Sequence, residues 1–558
     1  MVDERDIRRR IHDAFSQREF RRDWGNGTYV GLLDPTDLKI SATVEVTDLN
    51  FVRAPTIRLT DQADIKRTIP HLLSSDLVLC YFEQGAVVLD RYNPAGTVLQ
   101  CLEQADKVLR DGMRGRLDAD FADEFRVYWG LVPVMIDLPE GFTGDAKINV
   151  SEPDGRGEAQ IVLTHGVSWL TKAPGPSVDR YKPREGLPCR VVRTNKRLTI
   201  NPDGHWPPDT LADLNVWLKW IDPSLVGAIE IALRQSHGSV QYLAIAAANG
   251  VFIARIELPK VFRTPEFLKT RRAALPHLLE HLASKIGVDR TSGYQADPQY
   301  VFGRNMSGIK NLSGKRILLI GCGTIGGFLA HQLAQVGAGA QGGTFTLVDH
   351  DTLKAENLGR HLLGAPYLGK NKAEGCAAFL LDQLPMLSVR AAASDVLGRE
   401  LAFGRFDLVI DATGEEALSI AINDKIVRLR PNAPAALFVW LIGNGAAAQC
   451  LLVSGPDGAC FKCLKPALNG EPRFRTLKKG VETEVERNLA CGDARYIPFP
   501  VSRSVAAASL ACEATIDWVN GVREPTFRSA TLDRHKAFMV KDSVPAKAAN
   551  CPACGPEA

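Results

Sequence analysis

Residues 316–327 read Arg-Ile-Leu-Leu-Ile-Gly-Cys-Gly-Thr-Ile-Gly-Gly, an apolar run that ends in a glycine turn. The run predicts a buried strand, and the helical spacing of the apolar residues after the turn predicts a helix. In a strand, G-x-G-x-x-G turn and helix, the glycines let backbone amides approach phosphate oxygens at the positive end of the helix. The pattern therefore predicts a Rossmann-like nucleotide site built on Gly321, Gly323 and Gly326.

Asp349 follows a second predicted strand, Thr344–Val348, where a carboxylate accepts hydrogen bonds from a ribose. These features alone would also suit an NAD-dependent oxidoreductase. Three further residues distinguish such an oxidoreductase from an enzyme that transfers part of a nucleotide: Asn357, Arg360 and Lys372. Two fixed cations and an amide near the phosphates stabilise the charge that builds up during displacement at phosphorus, whereas hydride transfer needs no such cluster. The sequence therefore favours nucleotide chemistry on a carboxylate.

In this order the residues resemble the ThiF/MoeB family and the adenylation domains of ubiquitin-activating enzymes. The shared pattern is a glycine turn, D-x-D, N-L-x-R and a lysine, matched from about Arg304 to the C-terminus. The resemblance implies that Asp349 holds the ATP ribose and that Asn357, Arg360 and Lys372 hold the triphosphate. It also implies that Arg304 reaches across a dimer into the partner's ATP site; an ordinary surface arginine is the alternative.

The residues after the fourth predicted strand depart from the family pattern. The family has D-x-x-D there, with the second aspartate on Mg²⁺, whereas this chain has Asp411-Ala-Thr-Gly-Glu, which puts Gly414 in place of that aspartate. Either Asp411 or Glu415 therefore supplies the Mg²⁺ ligand, or phosphates and water hold this well-hydrated ion.

The length and composition of the chain limit the classes of protein to which it can belong. At 558 residues the chain is too long for one core, and a prior of about 150 residues per domain suggests three or four units. The net charge of +3 and the absence of a long basic block lead us to expect no nucleic acid partner. The sequence shows neither a secretory apolar region after its first residues nor a run approaching the roughly 18 apolar residues of a membrane span. We therefore expect a cytoplasmic protein without membrane contact.

Four of the twelve cysteines form two C-x-x-C pairs, Cys460 with Cys463 and Cys551 with Cys554. Four thiolates in two such pairs make a closed tetrahedral Zn²⁺ site, and ThiF-type enzymes carry a similar one. Such a site would tie the C-terminal segment back onto the domain. A redox pair or unrelated buried thiols are the alternatives.

Cys491 lies in the segment Asn-Leu-Ala-Cys-Gly-Asp at 488–493, where a thiol followed by glycine is accessible to a substrate. In the resembled activating enzymes, a cysteine in this part of the chain attacks the acyl adenylate and forms a thioester, and the resemblance gives that role to Cys491. We expect the cysteines that fall in the glycine turn or in apolar segments to be structural: Cys322, Cys376, Cys450 and Cys512.

The N-terminal part begins with a predicted helix and an alternating strand, Leu38–Val46, followed by strand-like runs at Leu77–Phe82 and Ala86–Leu89. Next come an extended proline segment and a helix that contains Cys101. This order resembles that of ubiquitin-conjugating enzymes, and the resemblance implies that Cys101 receives an acyl group.

The familiar His-Pro-Asn tripeptide of conjugating enzymes is absent, and Asn93-Pro94 is its nearest approximation. An asparagine there could polarise a thioester carbonyl. The alternative for Cys101 is a buried helical face shared with Val98 and Ala105.

The predicted fold is multidomain α/β. An α+β ubiquitin-conjugating-enzyme-like domain at 1–172 precedes a Pro/Gly-rich linker at 173–188, an α+β adaptor at 189–300, and a ThiF/MoeB-type adenylation domain at 301–558. The adaptor contains a predicted helix at Thr210–Ile221 and a predicted hairpin at Asn249-Gly250, and its sequence indicates no chemistry.

The combination resembles the fused conjugating and activating enzymes of bacterial antiphage CBASS operons. The resemblance implies that the chain, as a homodimer using ATP and Mg²⁺, adenylates the C-terminus of a cGAS-like nucleotidyltransferase. Cys491 would then take the acyl group, and Cys101 would pass it to a lysine or another amine. Two alternatives stay open: a sulfur-carrier or ubiquitin-like protein activating enzyme of ThiF/MoeB type outside CBASS, which has no need of Cys101, and a non-enzymatic scaffold, suggested by Gly414.

Overall fold

The computed structural model describes residues 3–34, 39–61, 65, 67–72, 76–83, 85–130, 132–150, 161–166, 186–235, 240–270, 272–398, 402–455, 457–486 and 496–555. These residues fall into two compact units, one formed before residue 296 and the other from residue 296 onward. Most of the predicted linker at 173–188 lies outside the described residues. No helix within the described ranges combines the length and apolar character that a bilayer crossing requires.

The first unit begins with two helices packed on an antiparallel sheet. The helices are α1 (Glu4–Gln17) and α2 (Pro94–Met113). The strands pair in chain order: β1 (Arg21–Arg22), β2 (Tyr29–Leu33), β3 (Ile40–Glu45) and β4 (Thr56–Leu59). Alternate residues of β3 are buried because successive side chains of a strand point to opposite faces. The predicted N-terminal helix and the strand within 38–46 are confirmed.

Neither of the two predicted strand-like runs that follow forms a strand of the described sheet, although the backbone N–H of Leu59 donates to the carbonyl of Leu77 and that of Leu79 to the carbonyl of Ile57, both at 2.9 Å. Among the described residues of these runs, only Val78 and Leu79 make isolated bridge pairs, with Arg58 and Leu72. Leu77 has a φ of 57°, a left-handed conformation that interrupts a strand. The segment is therefore a loop beside β4.

The same unit continues into a closed barrel in which the described strands follow the order β10-β11-β5-β7-β6-β8-β9. Their bounds are β5 (Pro133–Asp137), β6 (Gly144–Val150), β7 (Ile161–Thr164), β8 (Leu187–Arg193), β9 (Val240–Ala247), β10 (Gly250–Glu257) and β11 (Val288–Gln295). The helices of this part are α3 (Asp120–Asp123), α4 (Phe125–Trp129), α5 (Leu211–Ile221), α6 (Pro223–Gln235), α7 (Pro265–Thr270) and α8 (Leu275–Leu282).

Two predictions for this region are confirmed. Helix α5 starts after Thr210, whose side chain accepts a hydrogen bond from the backbone N–H of Asp213. The hairpin at Asn249-Gly250 joins β9 to β10, with Ala247 opposite Gly250. Strands β5, β6 and β7, which precede the predicted first limit at residue 172, hydrogen-bond within the barrel. The domain limits themselves stay predictions.

The second unit is built on a mostly parallel sheet covered by helices. Its strands are β12 (Arg316–Ile320), β13 (Thr344–Val348), β14 (Val389–Ala392), β15 (Leu408–Asp411), β16 (Ala435–Ile442), β17 (Ala447–Val453) and β18 (Phe527–Thr531). Its helices are α9 (Pro298–Gly303), α10 (Thr324–Gln335), α11 (Lys372–Gln383), α12 (Glu416–Arg428) and α13 (Val501–Val519).

The order of the described strands in this sheet is β14-β13-β12-β15-β16-β17-β18, and only the last two run antiparallel to their neighbours. Strand β12 lies between β13 and β15, so the direction in which strands are added reverses beside β12. In open α/β sheets a ligand binds at such a point, outside the carboxyl ends of the strands. The Rossmann-like fold predicted for the C-terminal part is confirmed.

Candidate functional site

A cavity of about 570 Å³ opens at the carboxyl ends of β12, β13 and β15. Backbone of the glycine turn forms one wall of this nucleotide cavity. The charged side chains that line it are Asp349, Asp351, Lys372, Asp395 and Glu415. The cavity therefore combines amides suited to phosphate with carboxylates suited to a ribose or a cation.

The glycines of the turn have distinct physical roles. Gly321 has a φ of +86°, and a Cβ there would lie 2.9 Å from Thr413. A Cβ at Gly326 would lie 1.8 Å from the carbonyl oxygen of Gly321, so only glycine lets α10 pack this closely on the turn. Gly323 precedes the first residue of α10, and both Gly323 and Thr324 line the cavity. The positive end of α10 thus faces the space where a phosphate would lie.

Asp349 is held rigidly beside the turn. Its Oδ2 accepts a 2.7 Å hydrogen bond from the backbone N–H of Cys322, and its Oδ1 accepts a 2.8 Å bond from that of Asp351. Because a carboxylate has further lone pairs, Asp349 retains acceptors for a ribose hydroxyl.

His361 hydrogen-bonds to the same turn, a contact that the sequence patterns did not predict. The backbone N–H of Leu363 donates to its Nδ1 at 3.0 Å, which leaves Nε2 to donate to the carbonyl of Cys322 at 2.8 Å. Burial lowers the pKa of His361, which favours this neutral form.

Lys372 is the first residue of α11, and its Nζ lies 2.8 Å from Oδ2 of Asp351. Burial opposes ionisation of Asp351, but the hydrogen bond and charge of Lys372, together with the charge of His350, hold its pKa below the ordinary value. Asn371 caps the helix and also donates to the carbonyls of Asp349 and Asp351 at 2.9 and 3.0 Å. Lys372 is therefore fixed at the edge of the cavity.

Arg360 lies one layer behind the cavity wall. Its guanidinium donates to the carbonyl of Ile497 at 3.2 Å and lies 5.2 Å from the ring centre of Phe499, and both of these residues line the cavity. Asn357 ends a short 3₁₀ helix, where its Oδ1 accepts from the backbone N–H of Lys354 at 2.9 Å. Of the three predicted triphosphate ligands, Lys372 therefore lines the described cavity, whereas Arg360 and Asn357 do not.

Asp411 has a structural role that the sequence did not predict. It is buried, it accepts hydrogen bonds from the hydroxyls of Thr413 at 2.7 Å and Ser419 at 2.5 Å, and burial raises its pKa. The Asp411 side chain is not part of the described cavity lining, whereas the exposed Glu415 is. Of the two predicted Mg²⁺ ligands, Glu415 is thus the one that faces the cavity.

Arg304 begins a short 3₁₀ helix, Arg304–Met306, that follows α9. Its side chain is exposed and does not line the described nucleotide cavity of its own chain. The predicted contact with a partner's ATP stays a prediction.

The four cysteines of the two C-x-x-C pairs meet, with all four sulfurs within 4.8 Å of one another. Cys460 Sγ lies 3.8 Å from that of Cys463 and 3.7 Å from that of Cys551, and Cys463 Sγ lies 3.4 Å from that of Cys554. Four Zn–S bonds of about 2.3 Å in a tetrahedron place the sulfurs about 3.8 Å apart. The donors therefore fit Zn²⁺ in type, number and spacing.

The neighbours of this cysteine cluster also suit a metal site. The backbone N–H of Ala548 donates to Cys463 Sγ at 3.4 Å, and the side-chain amide of Asn423 donates to Cys460 Sγ at 3.6 Å. The hydrogen bond shared with Cys460, followed by that from Ala548, lowers the pKa of Cys463. Such bonds orient and stabilise thiolate ligands.

Cys101 lies in the middle of α2 and is buried in the core of the N-terminal sheet and helices, as are Val98 and Ala105. Burial raises its pKa to about 11. Both properties oppose a role as an accessible nucleophile, because the thiolate is the reactive form. The alternative prediction of a shared buried face therefore describes this cysteine.

Cys80 is instead the exposed cysteine among those in the described part of the chain. It lies within the loop beside β4, before α2, and its backbone N–H donates to the carbonyl of His71 at 2.7 Å. Burial and the charge of Glu124 raise its pKa. Cys80 lies in a run whose sequence resembles a strand, so its sequence pattern gives no sign of an exposed thiol.

A polar cluster surrounds this loop. The His71 ring contacts Glu124 at 2.9 Å and Asp120 at 3.0 Å, and the hydrogen bond to Glu124, with that to Asp120, raises the His71 pKa to about 9 despite burial. The backbone N–H of His71 donates to the hydroxyl of Tyr128 at 2.8 Å. Asn93 caps α2, where its Oδ1 accepts from the backbone N–H of Gly96 at 3.1 Å.

The sequence also predicted a role for Cys491 and structural positions for four other cysteines. Cys491, the predicted thioester cysteine, lies outside the described residues. Cys322, Cys376, Cys450 and Cys512 are all buried, as the sequence predicted.

Two family models agree with this architecture. The model of the ThiF family matches residues 299–553, and that of the prokaryotic E2 family B matches residues 8–132. The chain is 34% identical over 562 aligned residues to an ATP-dependent ubiquitin transferase-like protein Cap2 of Pseudomonas aeruginosa, with 98% of each chain covered. It is 24% identical to the protein of the same name from Escherichia coli, over 88% of this chain and 86% of that one. A crystal structure of E. coli MccB matches 47% of this chain and 69% of its own, at 20% identity and a TM-score of 0.34.

Proposed function

The chain belongs to the family of ATP-dependent ubiquitin transferase-like Cap2 proteins, and from that premise we propose that it adenylates the C-terminal carboxylate of a protein and conjugates that protein to an amine. The nucleotide cavity carries the proposal. It joins the amide-rich glycine turn, the fixed acceptor Asp349 and the cation Lys372 at the switch point of the sheet.

The first step is adenylation of the substrate carboxylate in this cavity. A carboxylate oxygen of the substrate attacks the α-phosphorus of ATP, and pyrophosphate leaves with the electron pair of the broken P–O bond. Backbone amides at the start of α10 and the Lys372 ammonium stabilise negative charge in this displacement. Mg²⁺, when bound, supplies further charge neutralisation, and Glu415 is the carboxylate we assign to it, because Asp411 is already bonded within the protein.

Two thiolates then carry the acyl group. We assign the first transfer to Cys491, whose sulfur attacks the acyl carbon and releases AMP. For the second we replace the predicted Cys101 by Cys80, because exposure is required of a thiol that exchanges an acyl group with another chain. The Cys80 sulfur attacks the thioester and frees the Cys491 thiolate. An amine finally attacks the Cys80 thioester, loses a proton and releases the Cys80 thiolate.

We further propose the context that the family resemblance implies. The activated protein is a cGAS-like nucleotidyltransferase of an antiphage CBASS system, and the acceptor is a lysine or another amine. The functional form is a homodimer in the cytoplasm, in which the exposed Arg304 of each copy reaches the partner's ATP. Zn²⁺ in the cysteine cluster holds the C-terminal segment in place.

Trapping on non-reducing gels tests the relay. Wild type, Cys491→Ala, Cys80→Ala and Cys101→Ala are each incubated with ATP, Mg²⁺ and a cGAS-like nucleotidyltransferase. We expect no thioester on either cysteine without Cys491, a thioester stalled on Cys491 without Cys80, and product formation without Cys101. A stall in Cys101→Ala together with full activity of Cys80→Ala would restore the original assignment.

Full product from both Cys80→Ala and Cys101→Ala would favour the sulfur-carrier type of activating enzyme, since that class needs no second thioester. Absence of ATP binding by the purified wild type would favour the non-enzymatic scaffold. ATP–pyrophosphate exchange, measured in parallel, separates a failure of adenylation from a failure of transfer.

A further inference from the structure

A second cavity, of about 330 Å³, adjoins the nucleotide cavity. The two cavities share Gly414 and Leu441 in their walls. A Cβ built at Gly414 would meet nothing within 4 Å in the described structure, so this residue borders open space. We call this second space the aromatic cavity because ring side chains line it.

The aromatic walls are preorganised by packing. Phe461 lies edge-on to Trp440, with ring centres 5.5 Å apart, and Phe474 stacks on Phe527 at 4.1 Å. The buried Gln449 also lines the cavity, and its amide already donates to the carbonyl of Phe474 at 3.0 Å. The interior therefore favours an apolar occupant, since aromatic walls gain from apolar contact and the Gln449 donor has a partner.

Two lysines line this cavity and favour an occupant with a negative charge nearby. Lys462 and Lys465 line it, and Lys465 lies 3.1 Å from Glu416. Glu416 lines the cavity too and offsets Lys465, so Lys462 supplies the net positive charge among these three side chains. A ligand with an apolar side chain and a nearby anionic group fits this combination.

We propose that the aromatic cavity binds a large apolar or aromatic side chain among the last residues of the protein whose carboxylate is adenylated. This inference rests on the proposed function. A peptide chain advances about 3.3–3.6 Å per residue, and the two cavities share a wall. A substrate tail with its carboxylate in the nucleotide cavity therefore places a side chain within reach of the aromatic cavity after one or two residues. The aromatic cavity would therefore select substrate proteins by the side chains of their last residues.

The test uses N-acetylated six-residue peptides with a free C-terminal carboxylate, made of glycine and serine with 4-fluorophenylalanine at the last or the second-last position. Binding to the full chain is measured by fluorine NMR at millimolar peptide, with Mg²⁺ and α,β-methylene ATP, an analogue that cannot release pyrophosphate and so leaves the peptide unmodified. Burying a ring of this size strengthens binding by about ten- to a hundred-fold. We expect one of the two peptides to bind, and an all-glycine/serine peptide to compete at least ten-fold more weakly.

Two variants localise the binding. Ile420 lines the aromatic cavity but not the nucleotide cavity, so Ile420→Trp fills the first and leaves the second open, and Ile420→Val is its matched control. We expect Ile420→Trp to weaken the peptide by at least ten-fold and Ile420→Val to retain it. If Ile420→Trp fails to bind ATP in calorimetry, Trp440→Leu replaces it. This variant removes an aromatic wall of the same cavity and should likewise weaken binding of the peptide.

The outcomes distinguish this inference from the proposed function. Normal ATP binding without binding of either fluorinated peptide, equal binding to Ile420→Trp and Ile420→Val, or equal competition by the all-glycine/serine peptide would each overturn the inference alone. Failure of the wild type to bind ATP would instead overturn the proposed function.

Discussion

Ser419 and Asn423 lie one helical turn apart on α12, and their side chains hold two different sites. The Ser419 hydroxyl donates to Asp411 at 2.5 Å beneath the loop that borders the nucleotide cavity. The Asn423 amide donates to Cys460 Sγ at 3.6 Å, and its oxygen accepts from the backbone N–H of Phe461 at 2.9 Å. One helix therefore connects the nucleotide cavity to the cysteine cluster.

Replacing Asn423 by leucine should weaken Zn²⁺ binding by about ten- to a hundred-fold, as is typical when a group that orients a metal ligand is lost. Competition with a colorimetric chelator measures the affinity. Lys425→Gln on the same helix is the control and should leave the affinity unchanged. A wild-type preparation with less than half an equivalent of zinc would contradict the metal assignment itself.

Replacing Lys372 by alanine should lower ATP–pyrophosphate exchange by at least a hundred-fold, because the change removes a cation from the charge that develops at phosphorus. Asp351 would also lose its 2.8 Å partner and become easier to protonate. Lys372→Arg should retain part of the activity. Lys370→Ala, two residues away and outside the described cavity lining, is the matched control. Equal exchange rates in Lys372→Ala and the wild type would refute the role.

Replacing Glu415 by glutamine should raise the Mg²⁺ concentration needed for half-maximal exchange by several-fold, with a smaller effect on the maximal rate, because phosphates and water retain part of the coordination. Asp411→Asn should instead lower thermal stability, since Asp411 accepts two hydroxyl hydrogen bonds in a buried position. Magnesium titrations of exchange and thermal unfolding curves compare the two variants. The reverse pattern would return the Mg²⁺ role to Asp411.

His71 should make stability depend on pH. Its pKa rises from an ordinary 6.5 to about 9 in the folded chain through Glu124 and Asp120. Its contribution is thus fully present below about pH 6.5 and is lost as the pH rises through about 9. His71→Gln should cost about 1–2 kcal/mol at pH 6, after allowance for solvent screening, and much less at pH 10. Denaturant titrations at the two pH values measure this difference, and equal losses at both would contradict it.

The nucleotide half of the molecule was predictable because its signals are local. The strands Arg316–Ile320 and Thr344–Val348 have the bounds that their apolar runs predict, and Asp349 and Lys372 meet at one cavity. Parallel strands bring their carboxyl ends to one edge of a sheet, so residues that follow different strands become neighbours. Patterns in sequence could therefore place this site before its geometry was known.

The conjugating-like half was harder because its decisive property is exposure. Cys101 lies within a recognisable helix, yet packing of α2 on the sheet turns it inward. Cys80 lies in an apolar run that resembles a strand, but the described pairing of that run is limited to isolated bridges at Val78 and Leu79, and Cys80 itself is exposed. Neither outcome follows from periodicity, since each depends on contacts between segments far apart in the chain.

The exposure of Cys80 also offers a way to follow turnover. Iodoacetamide alkylates accessible thiolates, and among the described cysteines Cys80 is the exposed one. An acyl group on its sulfur would protect it from the reagent. The ratio of alkylated to protected Cys80 peptide, read by mass spectrometry after rapid mixing, would then give the fraction of Cys80 that carries an acyl group over time, without any substitution in the chain.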